Sequence, residues 1–261
     1  MGVDGIKLHQ VLRVAAIYCA WFDGIELLPF SIASVAKWVD DVIIIYSNTS
    51  NHGETIYYQD KLDGFGIPVN WEPDLSLSPH QNEVNKRNFG LDVARSMEFT
   101  HFIMMDCDEC YESLEIERKS LENSVNLNGF VHACRVYVKT PNLWCADHTL
   151  VTGLHRINKD TRFEFGSKTY PFAYDSEGHA HIDPTRRLNY KHGIAMSGQI
   201  MHHFSHVRKD IRLKIRNSSA RKSLENSTIL EDYENAKEGY YSKFYRKTLH
   251  SSPNIFGISI P

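Results

Sequence analysis

Short apolar runs rich in β-branched residues, separated by longer mixed segments, constrain this chain more than any other feature of its sequence. Leu12 to Cys19 (LRVAAIYC), Asp41 to Tyr46 (DVIIIY), Ile67 to Trp71 and His101 to Met105 are each of strand length. Glu26 to Trp38 and Gln81 to Met97 place apolar residues at helical spacing between them. Alternation of this kind builds βαβ units and a mostly parallel sheet. Gly129 to Lys139 reads as a fifth strand and Ile200 to Val207 as one more, with helices at about 210–222 and 229–245. After Pro141 the pattern is irregular, so the second half of the fold is not foreseen.

A chain of 261 residues, 42% hydrophobic and 23% charged, can bury a sizeable core and is too apolar for disorder. Its 29 basic and 32 acidic side chains give a net charge of −3, so bulk charge does not draw it onto nucleic acid. Any polyanion must meet a local patch. The apolar runs fall far short of the roughly 20 residues that span a bilayer, and Met1 to Leu12 has no signal-like apolar core. No membrane span is expected. An odd set of five cysteines without an export signal reads as reduced thiols of a cytoplasmic protein. The Asn-x-Ser/Thr triplets at Asn48, Asn217 and Asn226 then carry no glycosylation meaning.

The chemistry concentrates where the fourth run ends, at Asp106-Cys107-Asp108-Glu109. Three carboxylates within four residues at the end of a buried strand are costly unless positive charge meets them, and a divalent cation is the simplest source. Alternation along an extended chain turns Asp106 and Asp108 to one side and Cys107 to the other. Hard oxygen ligands suit Mg²⁺ or Mn²⁺, which keep positions open for substrate phosphates. Just upstream, Lys86-Arg87-Asn88 lie on the second expected helix.

Strand, polar loop (Ser47 to Gly53), strand, Arg-Asn helix and D-x-D strand follow one another in an order that resembles the GT-A fold nucleotide-sugar glycosyltransferases, in the style of family 2. The resemblance covers about Leu12 to Val138. It implies a Rossmann-like α/β fold with a mixed, mostly parallel sheet flanked by helices. The catalytic domain would span 1–207, with a nucleotide-binding half over about 12–140 and an acceptor half over about 141–207, before a C-terminal helical extension over 208–261. It also implies transfer of a hexosyl or pentosyl unit from a nucleoside diphosphate sugar, with Mn²⁺ or Mg²⁺. The hydroxyl acceptor would be a glycan, a lipid-linked glycan, a protein or a modified nucleic-acid base.

By the same resemblance Asp106 sits near the ribose and, with Asp108, at the metal, while Arg87 and Tyr18 lie near the nucleotide and Asn88 supports the helix. Ser47 stands where many relatives carry an Asp that meets the base. It can hydrogen-bond a base but supplies no charge. Asp23 or Glu26 takes the place of the usual Asn-Glu loop after the first strand.

A second cluster is Met201-His202-His203-Phe204-Ser205-His206. The resemblance implies a late His on the metal, His203 first, then His206, then His202; packed or exposed histidines are the plainer alternative. From Ser205 to Lys222 seven basic residues face Asp210 alone, a local charge of +6. Such a segment suits a departing diphosphate, with Arg208 the nucleotide-binding candidate, a polyanionic acceptor, or a solvated helix face. Inverting transfer needs a carboxylate base. Asp183, flanked by Arg186 and Arg187, is preferred over Asp147 and then Asp175, although Asp183-Pro184 is also ordinary turn chemistry.

Two features invite less. Cys107 and Cys110 form a C-x-x-C with no second pair, and Trp21, Trp71, Trp144, Tyr170, Phe172 and Tyr174 suit a core as well as sugar stacking. Two other readings stay open. A nucleotidyltransferase would carry a Gly-rich loop where this chain has Ala20-Trp21-Phe22-Asp23-Gly24, and a non-catalytic carbohydrate or nucleic-acid binding module would keep the fold without turnover.

Overall fold

The structure, a computed structural model, describes residues 12–165, 183–190 and 192–260. Asp175 and the aromatics Tyr170, Phe172 and Tyr174 lie outside the described residues. The first half runs β1 (Val14–Ala20), α1 (Leu28–Val35), β2 (Asp41–Tyr46), β3 (Ile67–Asn70), α2 (Pro79–Ser96), β4 (His101–Asp106), β5 (Glu109–Tyr111) and α3 (Glu115–Asn123). Then come β6 (Gly129–Val138), β7 (Leu143–Arg156), β8 (Ile194–His206), α4 (Ile211–Asn217), α5 (Arg221–Glu225), α6 (Ile229–Asn235), β9 (Tyr241–Ser242), β10 (Lys247–Thr248) and β11 (His250–Ser251).

The main sheet has the order β3-β2-β1-β4-β7-β6-β8-β5, with β11 added to β7. Strands β1 to β4 are all parallel. Beyond β4 the sheet becomes mixed: β7 joins β4 and β6 antiparallel, β8 runs parallel to β6, and β5 closes the edge antiparallel to β8. The fold is thus α/β with a Rossmann-like parallel half, as the alternating pattern predicts.

Alternation along β1 explains the layers. Val14, Ala16 and Tyr18 pack with α1 and α3, whereas Ala15 and Ile17 pack with α2 on the opposite face. Helix α2 lies close on β1 because Gly90 has no side chain: a Cβ there would stand 2.6 Å from Ile17 Cγ2. The helix starts at Pro79, two residues ahead of its apolar periodicity, because Ser78 Oγ accepts from the Gln81 amide at 3.2 Å and proline suits the first turn. Among the described residues no helix is long and apolar enough to cross a membrane.

Helix α3 and strands β5, β7 and β11 are absent from the sequence expectation. Strand β7 carries Asp147, Thr149, Thr152 and Gly153, and its ladder with β6 shifts register twice, so no clean period of two marks it. The three-residue β5 is too short to show any period.

A further difference is that the helix expected to reach about residue 245 ends at Asn235 and gives way to the β9–β10 hairpin. Buried Asp232 forces that exchange. Its carboxylate accepts from Tyr240 Oη (3.1 Å), Ser242 Oγ (2.7 Å) and the amides of Lys243 (3.1 Å) and Phe244 (2.8 Å). Asp232→Ala should lower stability by about 2–3 kcal/mol through lost hydrogen bonds to a charge. Urea unfolding measures this, and the amides of β9 to β11 should lose hydrogen-exchange protection first. Unchanged protection there would contradict the role.

Candidate functional site

The chain runs outward from β1 to β3, then returns to place β4 on the other side of β1. That reversal opens a crevice at the carboxyl ends of β1 and β4, the position where open α/β sheets hold ligands. A cleft of about 130 Å³ occupies it. Ala20 and Ser47 line its floor where β1 and β2 end, Asp106 and Asp108 line the β4 side, and Lys86 and Arg87 project from α2.

Helix α2 supplies a charged stripe because residues three and four apart share a face. Glu83, Lys86 and Arg87 all line the cleft. Arg87 reaches Asp106 Oδ1 at 3.2 Å. Asn88, one residue on, clamps the segment beyond β7: its Nδ2 donates to Phe163 O at 3.0 Å and its Oδ1 accepts from the Phe163 amide at 2.8 Å.

The positive charge demanded by the carboxylates is met inside the chain. Asp106 bonds Arg87 and Arg186. Glu109, 1% exposed, is held by Arg186, itself 2% exposed, and accepts from the Asp106 amide at 2.9 Å. Asp108 bonds Arg208 and lies 3.5 Å from Lys214. Burial alone would raise the Asp108 pKa, yet Lys214, Arg208 and His203 hold it well below the usual carboxylate range. Lys214 also stands 3.5 Å from Asp23, and Glu26 accepts from the Lys209 amide at 3.0 Å, so both acidic residues after β1 serve to seat the basic segment.

The +6 stretch is therefore divided. Arg208 and Lys214 enter the cleft, whereas Arg216 and Asn217 tie α4 to Glu54 at 2.9 and 2.8 Å. His52 Nε2 contacts Ser218 O at 2.8 Å beside them. The end of α4 thereby roofs the crevice.

The late histidines separate. Antiparallel pairing of β5 with β8 sets Glu109 opposite His203, and this brings His203 Nε2 to 3.4 Å from Asp108 Oδ1. His206 is turned to Tyr245 Oη (3.0 Å), and His202 is held between Tyr137 Oη (2.8 Å) and Glu112 (3.1 Å). Asp108 Oδ1 is buried without a hydrogen-bond donor. An orphaned carboxylate oxygen beside an imidazole nitrogen fits a hard or borderline cation with two protein ligands, the remaining positions being left to phosphate and water. Among the described residues no three His, Cys, Asp or Glu side chains converge on one point.

The other candidates fall as follows. Asp183 sits in a turn in which Arg186 N donates to its carbonyl. Its Oδ1 accepts from Thr185 N and Oγ1 at 2.8 and 2.7 Å, and its Oδ2 lies 3.7 Å from Arg186 Nε. Asp147 is on β7 opposite Cys134 and caps the Thr149 amide at 2.9 Å. Tyr18 is fully buried beneath α1 with its hydroxyl 3.0 Å from Ser31 Oγ, away from the cleft lining. Cys107 and Cys110 are buried free thiols whose pKa values burial pushes up, which does not suit redox chemistry. Trp144 is covered by the Arg135 guanidinium at 4.2 Å and by His250.

Three residues that line the cleft, Lys214, Glu83 and Lys86, are given no role by the sequence. Lys214 reads there as one member of a basic run, whereas Arg186 is already named as a flank of Asp183, though not as the partner of Asp106 and Glu109. Glu83, half-buried, has its pKa raised by burial, with Arg87 opposing and Asp183 and Asp106 adding to the rise. Its only sequence signal is the spacing of three and four to Lys86 and Arg87. Lys86 itself is buried beneath Ser47 and Ala20.

No protein-family model matches the chain, and no curated protein matches it. Among solved structures, Staphylococcus aureus TarS 1-349 aligns over 86% of this chain and 71% of its own, at 13% identity and a TM-score of 0.39. The same protein in complex with UDP aligns over 49% of this chain and 36% of its own, at 12% identity and 0.30. A putative glucose-1-phosphate thymidylyltransferase from Bacillus anthracis aligns over 49% of this chain and 57% of its own, at 13% identity and 0.32. In the last two alignments this chain therefore spans about a third to just over half of the other protein's length.

Proposed function

We infer that the protein is a transferase acting on nucleotide-activated sugars, and that it moves the glycosyl unit to a hydroxyl acceptor. The observation that carries the reading is the switch-point crevice itself. Acidic side chains for hydroxyls and cation sit on one wall, and Arg208 and Lys214, cations for a diphosphate, sit against them. Glycosyl transfer is favoured over nucleotidyl transfer by the loop after β1. It is a single tight turn, Phe22–Gly24, in a segment that holds one glycine rather than a glycine-rich phosphate loop. Gly24 is there for close approach, since a Cβ would stand 2.8 Å from Cys107 Cβ.

Asp108 and His203 are the residues that would hold Mn²⁺ or Mg²⁺, with Asp106 beside them. Such an ion would neutralise charge on the departing diphosphate. Arg208 and Lys214 share that task from α4 and the turn before it, and Arg87 orients Asp106. Asp183 is the proposed base, a choice supported by the Arg186 guanidinium that bonds Asp106 and stands 3.7 Å from Asp183. Asp147 is the second choice.

Asp183→Asn should lower kcat about 100-fold, the lower end of general-base effects, with little change in KM. Release of nucleoside diphosphate from a sugar-nucleotide and acceptor panel measures it. Equal kcat would remove Asp183 from the role and pass it to Asp147. The fold without turnover, a binding module, predicts no release with any donor.

A further inference from the structure

Helix α2 carries a second polar stripe, outside the cleft lining. Asn88, Asp92 and Arg95 follow one another at spacings of four and three, so they share one side of the helix. Against that side lies a short two-stranded ribbon. Phe163 bridges Leu188 antiparallel, and the Glu164 and Asn189 amides donate to the Arg187 and Arg162 carbonyls at 2.8 and 3.0 Å. Where the flanking residues make the bonds in this way, the amide and carbonyl of the central residue point away from the partner strand. Those of Phe163 meet α2. Asn88 takes both, its Oδ1 accepting at 2.8 Å and its Nδ2 donating at 3.0 Å, a double task that suits a carboxamide. Asp92 holds Arg162 at 2.8 Å, and Arg95 donates to the Thr161 carbonyl.

The same ribbon leads to the site. Arg186 stands two residues before Leu188 and bonds Asp106 Oδ2, while Arg87, the chain neighbour of Asn88, holds Asp106 Oδ1 at 3.2 Å. The contacts therefore close into a ring that runs from Arg87 through Asp106, Arg186, Leu188 and Phe163 back to Asn88. Phe163 and Leu188 are buried, but apolar contact has no direction and does not resist sliding along the helix. Two hydrogen bonds of fixed geometry do. We propose that Asn88 is a positioning residue for the transfer step: it fixes the ribbon, and thereby the place of Arg186 and of Asp183 beside it, relative to Asp106. This assignment rests on Asp183 as the base and names what aims it.

A cycle of kcat values, read as release of nucleoside diphosphate by the 261-residue chain, tests it. Asn88→Ala should lower kcat roughly 10- to 100-fold with little change in KM, the cost of a base misplaced by about an ångström. In the Asp183→Asn background the same substitution should cost less than about two-fold, because no base is left to aim. Thermal unfolding and circular dichroism fix the folded fraction. An Asn88 that serves stability alone would lower the melting temperature and leave kcat per folded molecule unchanged, and that result overturns the proposal. So does a loss that multiplies in full with that of Asp183→Asn. Should Asn88→Ala not fold, Asn88→Asp takes its place with the same expectations, since it still accepts from the Phe163 amide but cannot donate to the carbonyl. Equal kcat for Asp183→Asn alone overturns the base assignment, and this proposal with it, while the transfer reading stands. Absence of turnover of any sugar nucleotide by the unaltered chain overturns all three.

Discussion

Asp108→Asn is expected to reduce turnover of a sugar nucleotide by about 10³-fold, the upper range for losing one preorganised electrostatic contact in a closed site. The substitution preserves shape and removes charge. Arg208 and Lys214 then lack their shared partner, and the oxygen beside His203 no longer offers a carboxylate to a cation. Release of nucleoside diphosphate across a Mn²⁺ titration measures the loss, with circular dichroism confirming that the variant is folded. Full activity at saturating Mn²⁺ would show that Asp108 serves only to seat the basic segment. A loss that more Mn²⁺ partly restores would instead locate the defect in cation affinity.

Arg186→Met should be the most destabilising single change in the site. The guanidinium is buried between Asp106 and Glu109 and reaches Asp183. Its removal leaves Glu109, 1% exposed, without a counter-charge. Breaking a buried ion pair from one side costs roughly 3–5 kcal/mol, which for a chain of this size lowers the melting temperature by on the order of 10 °C. Adding Glu109→Gln should recover much of the loss, because removing both charges is far cheaper than removing one. Thermal unfolding of the two single variants and the double variant decides the matter. Additive losses would mean that Arg186 and Glu109 are not energetically paired.

Much of the sheet was legible in the residues. Asp41 to Tyr46 is a strand with those bounds, and α2 departs from its expected ends by one or two residues. Both are long or apolar enough that local periodicity settles their type. The sequence order puts Arg87 and Asp106 at one nucleotide site only through the resemblance, and the ion pair between them is a finding of the structure. Strands β5, β7 and β11 were not legible. They are short or bulged, and their stability comes from neighbours far along the chain.

The roles of the basic residues show the same limit. Arg208 and Lys214 follow the D-x-D by 100 and 106 positions, and Arg186 by 80. Arg208 is singled out in the run of seven cations, but nothing there tells that Lys214 turns inward with it. The structure decides it by docking α4 on the loop after β2 through Glu54, so that Lys214 falls into the crevice while Arg212 stays exposed against Glu234. Glu83 escapes notice for the converse reason, because an acidic residue on a helix reads as solvated until the roof at Ser219 covers it.

What the residues determined alone is the parallel half of the sheet, the helix that carries Arg87, and the acid-tipped strand, because each is dictated by alternation or helical spacing within a dozen neighbours. Tertiary structure alone decided which charges meet: His203 with Asp108, Arg186 with Glu109, Lys86 with Ser47. Coulomb and hydrogen-bond terms act over a few ångströms of space, and only strand register and helix docking convert separations of tens of residues into such distances.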